Sequence, residues 1–418
     1  MKNGYRWRIC ALLFFATTIN YIDRQVLSIL APDLQKIFEW SEKDYGYIIM
    51  SFQIAYAAGL LLTGRFLDKF GVRIGFSIAI TVWSVAAATH AWASSVMSFA
   101  AARFGLALGE SANFPASIKA IAEWFPKKER ALATGLFNSG ATIGAIIAPL
   151  LIPFLAVTLG WQSAFIITGL LGFVWLIFWI RIYKSPDKVS MVSKMELEHI
   201  RSDREPEPKS SIPWMKLLSY KQTLGICIGR FVTDPIWWFF LYWLPKYLSE
   251  QHGLNIQGLG IPLIIIYTAS SMGGIGGGWL SSRFIKMGKS IDFARKTTIL
   301  IVALMVMPMF LLSYFPSLPL AILLISLATA AHQGWASNIF TVVSDIYPKN
   351  VIGSVTGLAG FAGAVGGIIF SPVVGFILDA TGNYRIIFAI VSCAYLMAWL
   401  SLKILVPKIE PLDIGKKS

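Results

Sequence analysis

Four charged side chains interrupt two long apolar stretches of the chain. Asp23 and Arg24 lie within residues 9–31, and Arg103 and Glu110 lie within residues 96–117. Inside the hydrocarbon of a bilayer, each such group costs about 2.5–3.5 kcal/mol on insertion scales. The four side chains must therefore pair with one another, face a water-filled cavity, or both. In such positions carboxylates can take up and release protons, and a guanidinium group can bind an organic anion.

The composition indicates that membrane-spanning helices carry these charges. The chain has 418 residues, of which 56% are hydrophobic and 14% are charged, and its mean hydropathy is +0.64. Its apolar runs are about as long as a spanning helix and do not alternate as the strands of a membrane β-barrel do. We predict an all-α membrane protein with twelve spanning helices, near residues 9–31, 46–67, 74–93, 96–117, 131–156, 161–182, 222–249, 260–282, 296–315, 318–342, 352–377 and 384–406.

The distribution of basic residues predicts the orientation of the chain. Most of the 36 Lys and Arg residues lie in connections on the side of both termini, whereas the opposite side has only Lys36, Lys43, Lys246 and Arg385. Cytoplasmic connections are the ones enriched in Lys and Arg, so we expect both termini in the cytoplasm. The net charge of +14 then reflects topology and not a nucleic-acid partner. We expect a monomer embedded in the lipid bilayer.

A polar segment divides the twelve spans into two sets of six. We predict an N-terminal half at residues 1–183, a cytoplasmic linker at 184–221 and a C-terminal half at 222–418. Within the linker, residues 191–204 have helical spacing, and an extended proline-containing stretch follows them. The halves also repeat, since Phe125-Pro126 and Tyr347-Pro348 begin similar segments 222 positions apart. Two parallel six-helix repeats are typical of transporters in which one repeat rocks against the other.

Several motifs resemble a known transporter family. The segment from Gly64 to Arg73 reads Gly-x-x-x-Asp-Lys-x-Gly-x-Arg and, with two six-helix halves, resembles the major facilitator superfamily. Asn-Tyr-Ile-Asp-Arg at residues 20–24 and the segment from Arg103 to Glu110 resemble its anion:cation symporter branch. Residues 233–247 and 332–338 resemble bacterial hexuronate transporters in particular. The resemblance implies a carrier of galacturonate or glucuronate in a bacterial inner membrane.

The spacing of the four charges suggests how they could pair. Arg103 and Glu110 are seven residues apart, so they share one face of a helix. Asp23 and Arg103 lie at similar predicted depth, and we expect them to form an ion pair. No basic partner for Glu110 is evident one turn away, so we expect it to stand alone and to exchange protons. A purely structural role, in which the charges lock the first span to the fourth, also remains open.

The family resemblance assigns more specific roles to these residues. It implies that Asp23 and Glu110 are the proton-coupling sites and that Arg24 clamps the substrate carboxylate, for which a planar guanidinium is well suited. Protons are the coupling ion, and we expect no other cofactor and no metal. Polar and aromatic side chains in the spans are candidates for binding sugar hydroxyls, although each is also explained by helix packing. These candidates are Tyr21, Gln53, Tyr56, Asn113, Asn138, Gln333, Trp335 and Asn338.

Other charged residues are candidates for conformational roles. Arg230 and Asp234 have the spacing of a helical ion pair, which could be a structural bridge or part of an inner gate. Asp68, Lys69 and Arg73 are expected to join Glu129 and Arg130 in a cytoplasmic charge cluster, broken and remade during rocking as the family resemblance implies. His332 aligns with Glu110 in the repeat, and either a neutral hydrogen-bonding role or a titrating role is open for it.

The sequence leaves three classes of function to compare. The first is a proton-driven symporter that imports a sugar-acid monocarboxylate, either a hexuronate or an aldonate such as galactonate. The second is an organic-anion exchanger or an uncoupled facilitator with the same fold. The third is an enzyme or a sensor, which we do not expect because the sequence has no nucleophile–base set, metal-ligand spacing or phosphate-binding loop.

Overall fold

A computed structural model describes residues 4–202, 213–315 and 317–412, without the side chains of residues 127, 128, 131, 349 and 350. Within these ranges the chain forms α-helices and short 3-10 turns. The α-helices are α1 (Tyr5–Phe38), α2 (Glu42–Thr89), α3 (Val96–Glu110), α4 (Asn113–Trp124), α5 (Lys127–Leu159), α6 (Trp161–Ile182), α7 (Lys194–Arg201), α8 (Trp214–Leu218), α9 (Lys221–Tyr242), α10 (Leu244–His252), α11 (Gly260–Lys286), α12 (Ile291–Val306), α13 (Leu318–Ile346), α14 (Lys349–Thr381) and α15 (Arg385–Leu405).

The helices account for the twelve predicted crossings. Nine helical segments of the described chain are long and apolar enough to cross a membrane, and one of them runs for 51 residues from Glu42 to Trp92. At 1.5 Å per residue that segment rises about 75 Å, more than twice the ~30 Å of hydrocarbon, and so it supplies two crossings. The two remaining crossings are α1, whose polar residues lower its hydropathy, and the pair α3–α4. The chain is therefore an all-α membrane protein with two six-helix halves.

The long helix α2 changes direction at Gly71. This residue has φ 74° and ψ 161°, whereas the helix continues on both sides. A side chain with a Cβ would be strained in that conformation, so glycine permits the turn between the second and third crossings. The motif that ends at Arg73 thus has a geometric role at this turn.

The fourth crossing is broken where the tenth is continuous. Residues 111 and 112 separate α3 from α4, and Pro115 lacks the N–H that would bond to the carbonyl of Ser111. The corresponding helix α13 starts and ends 222 positions after α3 starts and α4 ends, and it has no interruption. Likewise α5 and α14 are both 33 residues long, and each follows a proline, Pro126 or Pro348. The internal repeat predicted from the sequence is confirmed, with the break next to Glu110 as a feature of the first copy alone.

The chain separates into two compact units. The first comprises the described residues of Met1–Trp40 and Tyr47–Glu207, and the second those of Ser41–Gly46 and Pro208–Ser418. The predicted linker contains a 3-10 turn at Pro186–Lys188 and the short helices α7 and α8. The surface helix expected at residues 191–204 is observed as α7, eight residues long. The extended stretch predicted after it falls mainly on residues 203–212, outside the described residues.

Equivalent helix pairs pack closely in both units. In the first unit, a Cβ at Gly144 of α5 would lie 2.5 Å from the carbonyl oxygen of Thr18 in α1. In the second unit, a Cβ at Gly366 of α14 would lie 2.2 Å from the carbonyl oxygen of Phe231 in α9. Gly144 and Gly366 occupy equivalent positions of the repeat, so Thr18 and Phe231 are equivalent as well. Arg24 lies six residues after Thr18 in α1, and Trp237 lies six residues after Phe231 in α9, so Arg24 corresponds to Trp237.

The contact between α5 and α1 can be tested with two glycines of one helix. We expect Gly144→Ala to lower the thermal unfolding midpoint of the detergent-purified protein, since its methyl group would force the backbones apart. Gly135→Ala is the matched control, because a Cβ there would meet nothing within 4 Å. Gly135→Ala should keep or slightly raise the midpoint through its better helix propensity. Equal midpoints for the two variants would contradict the close packing.

Candidate functional site

Arg24 and Glu110 form a buried ion pair inside the first unit. The Nε and Nη2 atoms of Arg24 both donate to Oε2 of Glu110, at 2.9 and 2.8 Å. The two residues are 3% and 1% exposed. The expectation that Glu110 stands alone was therefore wrong, because an arginine side chain is long enough to reach it from a neighbouring helix. The other oxygen, Oε1, is buried and accepts no hydrogen bond from the residues that the structure describes.

Aromatic rings surround the Arg24 guanidinium. Its Cζ lies 5.0 Å from the ring centroids of Tyr21 and Tyr56 and 5.2 Å from that of Phe52. Its Nη2 also donates to Oδ1 of Asn20 at 3.4 Å, one turn earlier in α1. Tyr21 and Tyr56 were predicted as substrate-binding candidates, and the structure brings both to Arg24. Phe52 and Asn20 were missed, although the i, i+4 spacing of Phe52 with Tyr56 and of Asn20 with Arg24 could have indicated them.

Arg103 and Asp23 do not form the expected ion pair. The Nη2 atom of Arg103 donates to the main-chain carbonyl of Arg24 at 3.0 Å, and its guanidinium lies over the ring of Phe52 at 5.0 Å. Asp23 is 2% exposed, and neither of its carboxyl oxygens is hydrogen-bonded within the described part of the chain. The prediction failed because spacing along two separate helices does not determine how far each helix is rotated about its axis.

The remaining candidates in the first unit differ in burial. Gln53 and Asn113 are 1% and 4% exposed, and Nδ2 of Asn113 donates to the Thr17 hydroxyl at 3.2 Å. Asn113 lies just after the break between α3 and α4, near Glu110 in sequence. Asn138 is exposed at the surface of α5. Gln53 and Asn113 are thus candidates inside the unit, whereas Asn138 belongs to an exposed helix face.

The second unit holds an aromatic counterpart of the ion pair. His332, at the repeat position of Glu110, stacks on Trp237, at the repeat position of Arg24, with ring centroids 5.0 Å apart and planes at 7°. The Nδ1 atom of His332 shares a hydrogen bond of 2.6 Å with the hydroxyl of Tyr395. Trp335 packs edge-on against the same tyrosine. The same structural position therefore carries full charges in one unit and stacked rings in the other.

Two other predicted residues of the second unit have different surroundings. The Nδ2 atom of Asn338 donates to the carbonyl oxygens of Gly277 and Gly334, at 3.1 and 2.9 Å. The first bond connects α13 to α11 and the second lies within α13, so helix packing accounts for Asn338. Gln333 is half-buried, one residue after His332.

The predicted charge pair of α9 is confirmed. Nε and Nη2 of Arg230 donate to Oδ2 of Asp234 at 2.9 and 2.7 Å. A Cβ at Gly363 of α14 would lie 2.0 Å from that oxygen, so glycine leaves the space that Asp234 occupies. The gating role remains a prediction.

The charge cluster expected around Asp68 is instead divided among separate contacts. Asp68 pairs with Lys119 at 2.5 Å, and Nη2 of Arg73 donates to the carbonyl of Ile180 at 2.7 Å. Lys69 lies over the ring of its neighbour Phe70 at 5.4 Å. Arg130 donates to the main-chain carbonyls of residues 122 and 125. Lys119 was missed because the sequence motif ends before it.

Glu129 belongs to another network, which attaches the linker helix α7 to α1 and α5 of the same unit. Nε of Arg6 donates to Glu129 Oε2 at 2.9 Å and Nη1 to Glu196 at 3.2 Å, while His199 lies 2.8 Å from Glu129 Oε1. Glu129 precedes the apolar part of α5. Burial raises its pKa, but the hydrogen bonds from Arg6 and His199 outweigh this effect and hold the pKa below its usual value. The ionised form is therefore favoured in the fold, and acid would weaken the attachment.

A second missed network lies in the second unit, around Lys246. This lysine is 1% exposed and forms ion pairs with Glu42 and with Glu250, the latter at 2.5 Å. The hydroxyl of Tyr384 donates to the other oxygen of Glu250 at 3.1 Å. The sequence placed Lys246 among the few basic residues of its side but gave no sign of its burial.

The energetics of the Arg24–Glu110 pair can be tested by comparing single and double variants. Glu110→Ala leaves a charged arginine buried without its carboxylate, which should destabilise the protein by about 3–5 kcal/mol. The double variant Arg24→Met with Glu110→Met should recover most of that loss, because no unpaired charge remains. Thermal unfolding in detergent measures the stability of the single and the double variant. Glu410→Ala, which breaks the exposed Lys408–Glu410 pair, is the control. A double variant less stable than Glu110→Ala would contradict this account.

Comparison with known proteins agrees with the fold. Residues 13–371 match the Major Facilitator Superfamily. The chain is 31% identical over 394 residues to the hexuronate transporter of Escherichia coli (strain K12), covering 93% of this chain and 91% of the relative. It is 30% identical over 390 residues to the D-galactonate transporter of Escherichia coli O6:H1 (strain CFT073), covering 90% of each.

The fold also resembles that of a solved transporter. A crystal structure of a D-xylose-proton symporter aligns with a TM-score of 0.79 at 18% identity, covering 98% of this chain and 100% of that one. The twelve crossings in two repeated halves, the charged pair within them and the match over most of the length together show that this chain is a multi-pass membrane transport protein and belongs to the major facilitator superfamily.

Proposed function

We propose that the protein is a proton-coupled symporter that imports a sugar-acid monocarboxylate by alternating access, with a hexuronate, galacturonate or glucuronate, as its substrate. The names of two relatives, a hexuronate transporter and a D-galactonate transporter, support this class of substrate. An aldonate such as galactonate is the second candidate. We propose further that the protein is a monomer of a bacterial inner membrane with both termini in the cytoplasm, and the distribution of Lys and Arg supports this orientation.

The ion pair between Arg24 and Glu110 is the observation that carries the proposal. A carboxylate substrate needs the guanidinium of Arg24, which Glu110 occupies through both Nε and Nη2. A proton on Glu110 removes its negative charge and frees Arg24 for the substrate. Proton binding and substrate binding then favour each other, which is the thermodynamic requirement for coupled transport.

The same exchange keeps the charge of the buried site constant. The empty site contains a guanidinium and the Glu110 carboxylate, whereas the loaded site contains a guanidinium, a neutral Glu110 and the carboxylate of the substrate. Neither state leaves an unpaired charge in the apolar interior, where such a charge is costly. One proton per monocarboxylate is therefore sufficient at this pair, and a second proton at Asp23 makes transport electrogenic.

Neighbouring side chains favour a sugar acid over a simple fatty acid. Tyr21 and Tyr56 present phenol groups next to Arg24, and Gln53 and Asn113 are buried in the same unit. Such groups can bind hydroxyls at positions fixed relative to the carboxylate clamp. Arg24 thus anchors the acid, and the polar groups around it select the sugar.

Uptake by membrane vesicles tests the proposal. Right-side-out vesicles containing the protein should accumulate labelled D-galacturonate or D-glucuronate when the interior is made alkaline. A protonophore should abolish accumulation, and replacement of Na⁺ by choline should leave it unchanged. D-galactonate in the same panel tests the second candidate, and an imposed potassium diffusion potential shows whether a second proton moves.

Two outcomes would reject the proposal. If the internal substrate concentration only reaches the external one and does not respond to the pH gradient, the protein is an uncoupled facilitator. Uptake that requires an organic anion preloaded inside the vesicles would identify an exchanger.

The role of Glu110 is tested separately by Glu110→Gln. Glutamine preserves the shape and an oxygen acceptor for Arg24 but does not titrate. We expect proton-driven accumulation to fall to the level of vesicles without the protein, whereas counterflow of D-galacturonate between preloaded and external pools persists. Glu198→Gln, the same change at an exposed position of α7, should behave like the wild type. Equal loss of accumulation and counterflow in Glu110→Gln would contradict its assignment as a coupling site.

A further inference from the structure

Asn20 is a buried amide one helical turn before Arg24 in α1. It is 1% exposed, and its Oδ1 atom accepts a hydrogen bond of 3.4 Å from Nη2 of Arg24. The same Nη2 atom donates to Oε2 of Glu110 at 2.8 Å. One nitrogen of the guanidinium group is therefore shared between a carboxylate on a neighbouring helix and a neutral amide on its own helix.

The guanidinium group fixes which way this amide faces. A guanidinium group has donors and no acceptor, so an amide beside it must present its oxygen. The Nδ2 atom of Asn20 is buried and has no hydrogen-bond partner among the residues that the structure describes. An unsatisfied buried donor is unfavourable, and alanine would avoid it and has the better helix propensity. Burial and helix propensity therefore do not account for an asparagine at this position.

The backbone that carries Asn20 is held on two sides. Towards α5, a Cβ at Gly144 would lie only 2.5 Å from the carbonyl oxygen of Thr18. Towards α4, the hydroxyl of Thr17 accepts a hydrogen bond of 3.2 Å from Nδ2 of Asn113. Both contacts lie within one helical turn of Asn20, so α1 gives the amide a fixed position.

The two acceptors of the Nη2 atom differ in charge and in support. Glu110 is the last residue of α3, directly before the break at residues 111 and 112. In the proposed function, Glu110 releases the guanidinium when it takes up a proton. Asn20 does not titrate, and it stays one turn from Arg24 because both belong to α1. It can therefore hold Nη2 in place while the anion beside the guanidinium is exchanged.

The repeat shows what the equivalent position contains where the arginine is absent. Arg24 corresponds to Trp237, so Asn20, four residues earlier, corresponds to Thr233 of α9. Thr233 is 0% exposed, and its hydroxyl donates to the carbonyl oxygen of Gly229 in the same helix at 2.9 Å. A hydroxyl that is satisfied within its own helix thus precedes the indole, whereas an amide oxygen precedes the guanidinium.

We propose that Asn20 is a positioning residue for substrate binding, because its amide oxygen holds the Arg24 guanidinium in the orientation that receives the substrate carboxylate when Glu110 is protonated. The inference rests on the proposed function, in which Arg24 binds that carboxylate. Asn20 acts through Arg24, and it neither contacts the sugar acid nor takes up protons.

Two substitutions at Asn20 test the proposal in counterflow of D-galacturonate. Asn20→Ala removes the acceptor, so the guanidinium is less well placed, and KM should rise about tenfold while Vmax stays within about twofold. Asn20→Asp keeps the shape but adds a carboxylate that competes with the substrate for Arg24, so it should raise KM more than Asn20→Ala does. A role in packing alone would give the opposite order, because aspartate fills the space that alanine leaves empty.

Thr233→Ala is the matched control for these variants. It removes a buried polar side chain at the equivalent position of α9, where no guanidinium depends on it, and should leave KM unchanged. A wild-type KM in Asn20→Ala, or a lower KM in Asn20→Asp than in Asn20→Ala, would overturn the inference. An equal rise of KM in Thr233→Ala would overturn it as well.

Thermal unfolding in detergent covers the case in which the Asn20 variants are inactive. Asn20→Ala should lower the unfolding midpoint in the wild-type background, because the hydrogen bond to the guanidinium is lost. In the background of Arg24→Met with Glu110→Met, no guanidinium remains for the amide to bind, so Asn20→Ala should keep or raise the midpoint. An equal fall in both backgrounds would show that Asn20 does not hold Arg24.

The wild type and Arg24→Ala separate this inference from the proposed function. If the wild type transports none of the sugar acids in the vesicle panel, or if Arg24→Ala keeps the wild-type KM, the proposed function fails and the inference fails with it. If the wild type transports D-galacturonate through Arg24 and Asn20→Ala keeps the wild-type KM, only the role of Asn20 is wrong.

Discussion

The cost of placing a full charge in an apolar interior governs the architecture of the first unit. Arg24 cannot be left alone at 3% exposure, and the structure gives it Glu110, Asn20 and three aromatic rings. The break between α3 and α4 follows directly after Glu110, where Pro115 prevents a continuous helix. The carboxylate that completes the pair thus stands at the end of a helix and not within an unbroken one.

This constraint links charge neutrality to transport. In the proposed function, the site remains neutral because it admits the substrate anion together with a proton. The aromatic rings around Arg24 contribute by keeping the guanidinium at one place through cation–π contacts while its anionic partner is exchanged. In the proposed function, specificity for a carboxylate and coupling to protons both depend on this one pair of residues.

The sequence predicted the parts of this architecture that depend on local spacing. The spans follow from runs of apolar residues, and the Arg230–Asp234 pair follows from one helical turn. Contacts between helices were not predictable in the same way. The prediction of an Asp23–Arg103 ion pair was wrong because packing between helices sets the rotation of each helix about its axis. Residues such as Gly144 and Gly366 decide how closely two helix backbones approach. The burial of Lys246 was missed because hydropathy cannot tell a lysine at a membrane surface from one enclosed by Glu42 and Glu250.

The stacked pair of Trp237 and His332 stands where the first unit has Arg24 and Glu110. The two repeats therefore place different chemistry at equivalent backbone positions. The helical framework also differs at this point, because the helix ends at Glu110 in the first unit and continues past His332 in the second. A guanidinium that can bind an anion is therefore present at this repeat position in the first unit, whereas the second unit has an indole ring there.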